Sequence, residues 1–308
     1  MLLSIIIPVY NEAENLLLLC DRLANLYFNT IDKEILFIDD CSTDNTPELL
    51  EKICIDNPNF NFIRLSKNSG SHIAILAGMN HCKGDAVVFM AGDMQDPPEL
   101  INSLIVKWLD GQDVVWAVRE NIEGVSFLSK FLSKSFYFLM NSFANVKFPP
   151  SGADFALMDK KVVMAVLQST GSNPSLGGLI ASVGFKQSEI KYIKNARAFG
   201  KSKWTLNKKL QAFIDAFVAF SFAPMRLMIY IGMTISLIGF IYAFAIIILR
   251  VFFIKQIDGW ASIMVIVLFL GGIQMLMIGT IGEYLWRNLE ESRKKPLFFI
   301  EKKSSNIQ

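Results

Sequence analysis

Two unbroken apolar runs near the end of the chain constrain its fold more than any other feature: LMIYIGMTISLIGFIYAFAIIIL at 227–249 and WASIMVIVLFLGGIQMLMIGTIG at 260–282. Each holds about 23 residues, and at ~1.5 Å per residue a helix of that length covers a ~30 Å hydrocarbon core. The reading that follows is a transmembrane hairpin within 227–287; two buried helices of a large soluble core are the alternative. Ahead of it, TLNKKLQAFIDAFVAFSF sets Lys208 and Lys209 before an aromatic-rich stretch and reads as an amphipathic juxtamembrane segment over 205–226. Lys201, Lys203, Lys208, Lys209 and Arg226 precede the first run and Arg287, Arg293, Lys294 and Lys295 follow the second, whereas the connection between the runs carries Arg250 and Lys255. That asymmetry predicts both termini on the cytoplasmic side, with 288–308 as a basic cytoplasmic tail.

Residues 1–204 have a different grammar. Short β-rich runs, LSIIIPVY, EILFIDD, FIRLSK, AVVFMAGD and DVVWAVRE, alternate with helical patterns, and Leu16, Leu19, Leu23 and Leu26 form one apolar helical stripe. Runs apolar on both faces and linked by amphipathic helices predict an α/β domain whose mostly parallel sheet is covered on both sides. The net charge of +2 gives no indication of nucleic acid as a partner. The four cysteines, Cys20, Cys41, Cys54 and Cys82, lie singly without CxxC spacing, the pattern of reduced cytosolic thiols. LLSIIIPVY begins without a basic segment or a small-residue cleavage site, so no secretory signal is expected. His72 and His81 have no metal-ligand spacing and read as structural. GGLIASVGF at 177–185 reads as a packed helix and turn rather than a phosphate loop.

Four polar clusters follow strand ends: PVYNE (8–12), DDCSTD (39–44), SKNSG (66–70) and AGDMQD (91–96). In open α/β sheets that rim is where ligands bind, although turn residues gather there for their own reasons. Asp93, with Gln95, supplies oxygen donors suited to a divalent cation beside a diphosphate. Asp39 and Asp40 suit a nucleoside, by accepting from a base N–H or ribose hydroxyls. Asp44 reads equally as the cap of the next helix, and Asp96 with Pro97 and Pro98 as the shape of a turn that starts another.

SIIIPVYNE, FIDDCSTDNT, RLSKNSG, GDMQDPPEL, ADFALMD, GKSKW and the two closing apolar runs together resemble the polyprenyl-phosphate glycosyltransferases of family 2, the bactoprenol glucosyltransferases and dolichol-phosphate mannose synthases. The resemblance covers essentially the whole chain in order. It implies a GT-A fold, a nucleotide-sugar donor with a UDP-sugar favoured, a divalent metal (Mg²⁺ or Mn²⁺), and inverting transfer to a polyprenyl phosphate such as undecaprenyl phosphate. It also implies a bacterial inner (plasma) membrane location, a homotetramer, and use of the lipid-linked sugar in O-antigen or cell-envelope glycans. Carried onto this chain, Pro8, Tyr10, Glu12, Asp39 and Asp40 meet the nucleoside, Asp93 and Gln95 the metal and diphosphate, and Asp154 matches the catalytic aspartate. An ionised lipid phosphate needs positioning by cations more than a strong base, which suits Arg119, Lys130, Lys134, Arg197, Ser202 and Lys203; a solvated basic face is the alternative for these cations. Gly271, Gly272, Gly279 and Gly282 favour close helix packing within the hairpin or between subunits.

The chain departs from the family at several places. Ala91 stands where an acid of Asp-x-Asp is usual, Ala156 where an Arg follows Asp-Phe, and Ser151, Gly152 and Ala153 where Asp-Ala-Gly is usual. These substitutions lie where the sugar is expected, which favours a sugar other than glucose. A non-catalytic membrane protein that binds nucleotide sugars is the alternative; a processive polysaccharide synthase would normally need more than two spans.

Overall fold

The computed structural model describes residues 1–28, 30–120, 155–169, 176–193, 223–253, 259–293, 295–304 and 307. The chain divides into two units, Met1–Ala216 with Lys295–Gln308, and Phe217–Lys294.

In the first unit the order is β1 (Leu2–Val9), α1 (Ala13–Ala24), β2 (Asp32–Asp39), α2 (Thr46–Asp56), β3 (Phe60–Leu65), α3 (Ser71–His81) and β4 (Ala86–Phe89). A 3-10 turn at Pro98–Leu100 leads into α4 (Ile101–Leu109), followed by β5 (Val114–Arg119), β6 (Ala156–Asp159), α5 (Lys160–Gln168), α6 (Leu176–Ser182) and β7 (Gln187–Tyr192). The eight strands lie in the order β7-β5-β6-β4-β1-β2-β3-β8, where β8 is Ile300–Lys303. Strands β1 to β4 are mutually parallel where they pair and β5 is parallel to β7, whereas β6 runs against β4 and β5. The mostly parallel α/β reading therefore holds, with antiparallel insertions.

The layers follow from side-chain period. Along β1, Leu3, Ile5, Ile7 and Val9 face one core and Ile6 the other; in β2, Ile35 and Phe37 oppose Leu36 and Ile38. Helices α1, α2 and α4 cover the first face through Leu16, Leu19, Leu23, Leu50, Ile53, Ile101 and Leu104. Helices α3, α5 and α6 cover the second through Ala74, Ala77, Val162, Val166 and Ile180. The α3 contact is close: a Cβ on Gly78 would lie 2.5 Å from Ile6 Cγ2, so only glycine lets the helix settle at this height. Asp159 starts α5 by accepting from Lys161 N at 3.0 Å. The glycine-rich run at 177–185 is the expected helix and turn, with Gly184 at φ 74°. All four cysteines are free, and burial pushes the Cys20 and Cys54 thiols up to about 12, which keeps them protonated and unreactive.

Of the segment 288–308 read as a basic tail, the first residues end the helix Trp260–Ser292, whereas Lys295–Gln308 group with the first unit and supply β8. Its four residues, IEKK, lack the apolar alternation that marks a strand in sequence; an edge strand beside solvent needs little of it.

The second unit contains α7 (Ala223–Phe253) and α8 (Trp260–Ser292), which enclose both apolar runs. Gly232 meets Met277 of the other helix, where an added Cβ would lie 3.3 Å from its terminal methyl carbon. Taken over the described residues, no helix is long and apolar enough to cross a membrane. Of the expected juxtamembrane segment, 223–226 continue into α7 and the remainder lies outside the described residues.

Candidate active site

The strand order fixes where a ligand can enter. From β1 the chain winds outward through β2 and β3, then returns by α3 to β4 on the other side of β1. The carboxyl ends of β1 and β4 thus flank a topological switch point, the position at which open α/β sheets bind ligands. PVYNE and AGDMQD lie at the ends of these two strands, and DDCSTD and SKNSG follow β2 and β3, the next two strands on the far side of β1, so all four clusters share one rim. Pro8 sits beyond the last β1–β4 pair, Ile6 with Phe89; lacking an N–H, it cannot extend that ladder and the strands diverge. Gly92 permits the next approach, since a Cβ there would meet Val9 Cγ1 at 3.0 Å and the Pro8 carbonyl at 3.4 Å.

Backbone strain concentrates on the same rim. Among the described non-glycine residues, positive φ occurs at Asn11 (51°), Cys41 (61°) and Met94 (61°), one in each loop after β1, β2 and β4. Such conformations cost on the order of 1 kcal/mol each and persist where neighbours enforce them. Here the neighbours are visible. Asn11 N donates to Ser42 Oγ at 2.9 Å, Thr43 N donates to Asn11 Oδ1 at 2.8 Å, and Glu12 N donates to Thr46 Oγ1 at 3.0 Å. Asp44 accepts from Thr46 N at 3.0 Å and Ala13 N at 3.4 Å, so it serves both α1 and α2. These backbone and hydroxyl donors offset the burial of Asp44 and hold its carboxyl below its ordinary value.

Tyr10 and Glu12 are half-buried just after β1 and just before α1, and Glu12 Oε2 accepts from Asn15 Nδ2 at 2.7 Å. Asp39 and Asp40 differ from a pair of open ligand-seeking acids. Asp39 is fully buried; its Oδ2 accepts from Arg64 at 2.6 Å and its Oδ1 from Ser42 N at 3.0 Å. Arg64 also donates to the Ser42 carbonyl at 3.2 Å. Asp40 accepts from Ser69 N at 2.7 Å and Gly70 N at 2.8 Å, drawing the SKNSG loop onto the DDCSTD loop. Gly70 adopts φ 91° to present that N–H, a conformation open to glycine. Burial pushes the Asp40 carboxyl above its ordinary value; the two amides oppose that shift and Asp39 adds to it.

In the loop after β4, Asp93 is nearly buried and accepts from Gln95 N at 3.2 Å, while Gln95 is half-buried. Asp96 is fully buried and accepts from the Tyr192 hydroxyl at 2.5 Å. Tyr192 ends β7 opposite Arg119, the last residue of β5, and Arg119 hydrogen-bonds the same hydroxyl. Burial pushes the Tyr192 phenol above its ordinary value, Asp96 adds to the shift and Arg119 opposes it. The acidic turn and the cationic end of β5 are therefore joined through one phenol. As a cation site, the turn offers the Asp93 carboxylate and the Gln95 amide oxygen, with Asp96 bonded to Tyr192 and Ala91 contributing no side-chain donor, and no group of three His, Cys, Asp or Glu side chains placed to hold a metal occurs among the described residues. Hard oxygen donors on one turn fit Mg²⁺ or Mn²⁺ held mainly by a diphosphate and water.

Asp154, Lys130, Lys134, Arg197, Ser202 and Lys203 lie outside the described residues. Ala156, where the family carries Arg, is buried in the second core, opposite Phe89. Arg64 and Tyr192 are site-ordering residues to which sequence reading gave no role; each works on a partner in another loop, and Arg64 alone stands within a quoted motif, RLSKNSG.

A model of glycosyl transferase family 2 matches residues 4–167. The chain belongs to glycosyl transferase family 2. Over 97% of its length this glycosyltransferase is 38% identical to the uncharacterized glycosyltransferase YkcC of Bacillus subtilis, of which 93% is covered. It is 32% identical to the bactoprenol glucosyl transferase of Shigella phage SfV, over 98% of both chains. The fold is also that of the mannosyltransferase PcManGT from Pyrobaculum calidifontis, solved with GDP-Man and Mn²⁺, at a TM-score of 0.50 and 17% identity over 70% of this chain and 63% of that one.

Proposed function

We propose that this glycosyltransferase moves a sugar, with inversion, from a nucleotide-sugar donor to a polyprenyl phosphate such as undecaprenyl phosphate, for use in a cell-envelope glycan. The observation that carries the reading is its end-to-end likeness to bactoprenol glucosyl transferases, which extends through both long helices. The rim at the β1–β4 switch point is the donor site. Tyr10, Glu12 and the loops ordered by Asp39 and Asp40 surround the nucleoside. Asp93 and Gln95 would hold a divalent cation; bound there, it supplies charge neutralisation for the departing nucleoside diphosphate. Asp154 is assigned beside the sugar and the acceptor phosphate. The phosphate oxygen attacks the anomeric carbon as the bond to the diphosphate breaks, and because that oxygen is already ionised no proton has to be removed. Arg119, Lys130, Lys134, Arg197, Ser202 and Lys203 are assigned to hold the acceptor phosphate.

The paired helices are placed in the plasma membrane, with the α/β unit and both termini on the cytoplasmic side. Support comes from the two apolar runs, from flanking Lys and Arg, and from apolar side chains such as Tyr230, Phe240, Phe244, Phe269, Met275 and Leu276, all more than half exposed. Among the described residues an added Cβ on Gly271, Gly272, Gly279 or Gly282 would meet nothing within 4 Å, and small residues of this kind suit close packing against helices of other copies in a tetramer.

Membranes containing the protein, supplied with labelled UDP- and GDP-sugars and polyprenyl phosphate, should yield an acid-labile labelled lipid of inverted anomeric configuration. No labelled lipid from any donor, with or without Mg²⁺ or Mn²⁺, would instead favour a non-catalytic nucleotide-sugar-binding protein.

A further inference from the structure

Residues 295–308 come after the long helices in sequence yet fold with the first unit. Strand β8 lies antiparallel on β3, pairing Ile63 with Lys303, Arg64 with Lys302 and Leu65 with Ile300, and the register shifts between Arg64 and Leu65. Ser66 N donates to the Phe299 carbonyl and Ser304 N to the Phe62 carbonyl, each at 2.9 Å, fixing both ends of the strand. At the irregularity Glu301 Oε2 accepts from Arg64 Nε at 2.9 Å.

Arg64 is thereby held from two sides. One terminal nitrogen donates to buried Asp39, the other to the Ser42 carbonyl, and Nε donates to Glu301. Asp39 and Ser42 belong to the DDCSTD loop, whose Ser42 and Thr43 bond Asn11 in the loop after β1. A chain of charge-assisted and backbone bonds runs from the C-terminal strand to the switch point. An arginine has many rotamers, and its planar fork satisfies all three acceptors only in one orientation.

We propose that Glu301 is a positioning residue of the donor site: it fixes the guanidinium of Arg64, which clamps Asp39 and the 42–44 turn, so nucleotide binding depends on the C-terminal strand. The proposal rests on the donor-site reading above. A matched control is built into β8. Lys302, the next residue, forms a 2.6 Å ion pair with Glu51 of α2; its side chain is 53% exposed, against 54% for Glu301. Both pairs fasten the same strand at similar exposure, and the Glu301 pair alone includes Arg64.

The test compares full-length Glu301→Gln and Lys302→Ala in the membrane transfer assay, with UDP and GDP titrated calorimetrically against the detergent-solubilised proteins. Glu301→Gln should raise the donor KM, and the Kd of the preferred nucleotide, about two- to fivefold, the range an exposed ion pair controls. Its kcat and the KM for lipid should stay at wild-type values, and Glu301→Asp should recover part of the loss. Lys302→Ala should leave nucleotide Kd unchanged while shifting the unfolding temperature as much as Glu301→Gln does. Equal nucleotide Kd for Glu301→Gln and wild type would overturn the proposal, as would equal weakening by both variants. A wild-type protein that binds nucleotide but makes no labelled lipid would sink the transfer reading, leaving the Kd comparison to decide this one. A wild type that binds neither nucleotide would sink both.

Discussion

Tyr192 shows how much one hydroxyl can organise. It donates to buried Asp96 and is bonded by Arg119, so Tyr192→Phe keeps the ring against Phe155 and removes only the bridge. The expected cost is about 1–3 kcal/mol in chemical denaturation, because a buried carboxylate loses a donor; transfer should weaken as the acidic turn and Arg119 lose their common anchor, and unchanged kcat and KM for both substrates would deny the hydroxyl any functional part. Asp40 makes a pH-dependent prediction. Its folded-state value is raised, so its contribution to stability is fully present below the ordinary 3.8 and is lost as pH rises through the raised value. Asp40→Asn cannot titrate, so the stability of wild type relative to this variant should fall over that acid window and level off above it. A pH-independent difference would show that Asp40 is not the titrating group. Asp39, Asp40 and Asp93 were legible in sequence because each closes or follows an apolar run. Asp96 was visible, but its partner was not: 96 residues separate it from Tyr192, and no local pattern records such a pairing.

At the scale of elements, the height of α3 above the sheet is set by one missing methyl. Gly78→Ala would bring a Cβ within 2.5 Å of Ile6 Cγ2, and overpacking of this kind costs about 1–3 kcal/mol. Ile6→Ala in the same chain removes Cγ2 and should not add its own cost in full; a double-mutant cycle in urea should show favourable coupling, and strict additivity would mean that the helix shifts rather than the side chain. The strands of the parallel half were readable because each is apolar on both faces. Strands β6 and β8 were not, being four-residue segments, ALMD and IEKK, whose pairing is decided by neighbours far away in sequence. The polar rim was legible as positions, whereas the bonds that join its loops required the strand order.

At the scale of the whole molecule, the proposed donor site carries fewer acids than the family pattern suggests, and metal dependence should reveal this. Chelation with EDTA should abolish transfer and added Mg²⁺ or Mn²⁺ should restore it. Ala91→Asp should lower the metal concentration needed for half-maximal activity severalfold, and an unchanged requirement would mean that a second carboxylate has no work to do there. The two long helices were the plainest feature of the sequence, because length and apolarity alone announce them; the return of the chain to the α/β sheet afterwards was not announced by anything. That return has a consequence for biosynthesis. Translation delivers residues 300–303 after both long helices, so the outer edge of β3 and the guanidinium of Arg64 wait without these partners while the helical pair is being made. A chain cut before residue 300 would keep the four rim clusters but leave the β3 edge bare, prone to pair with another copy.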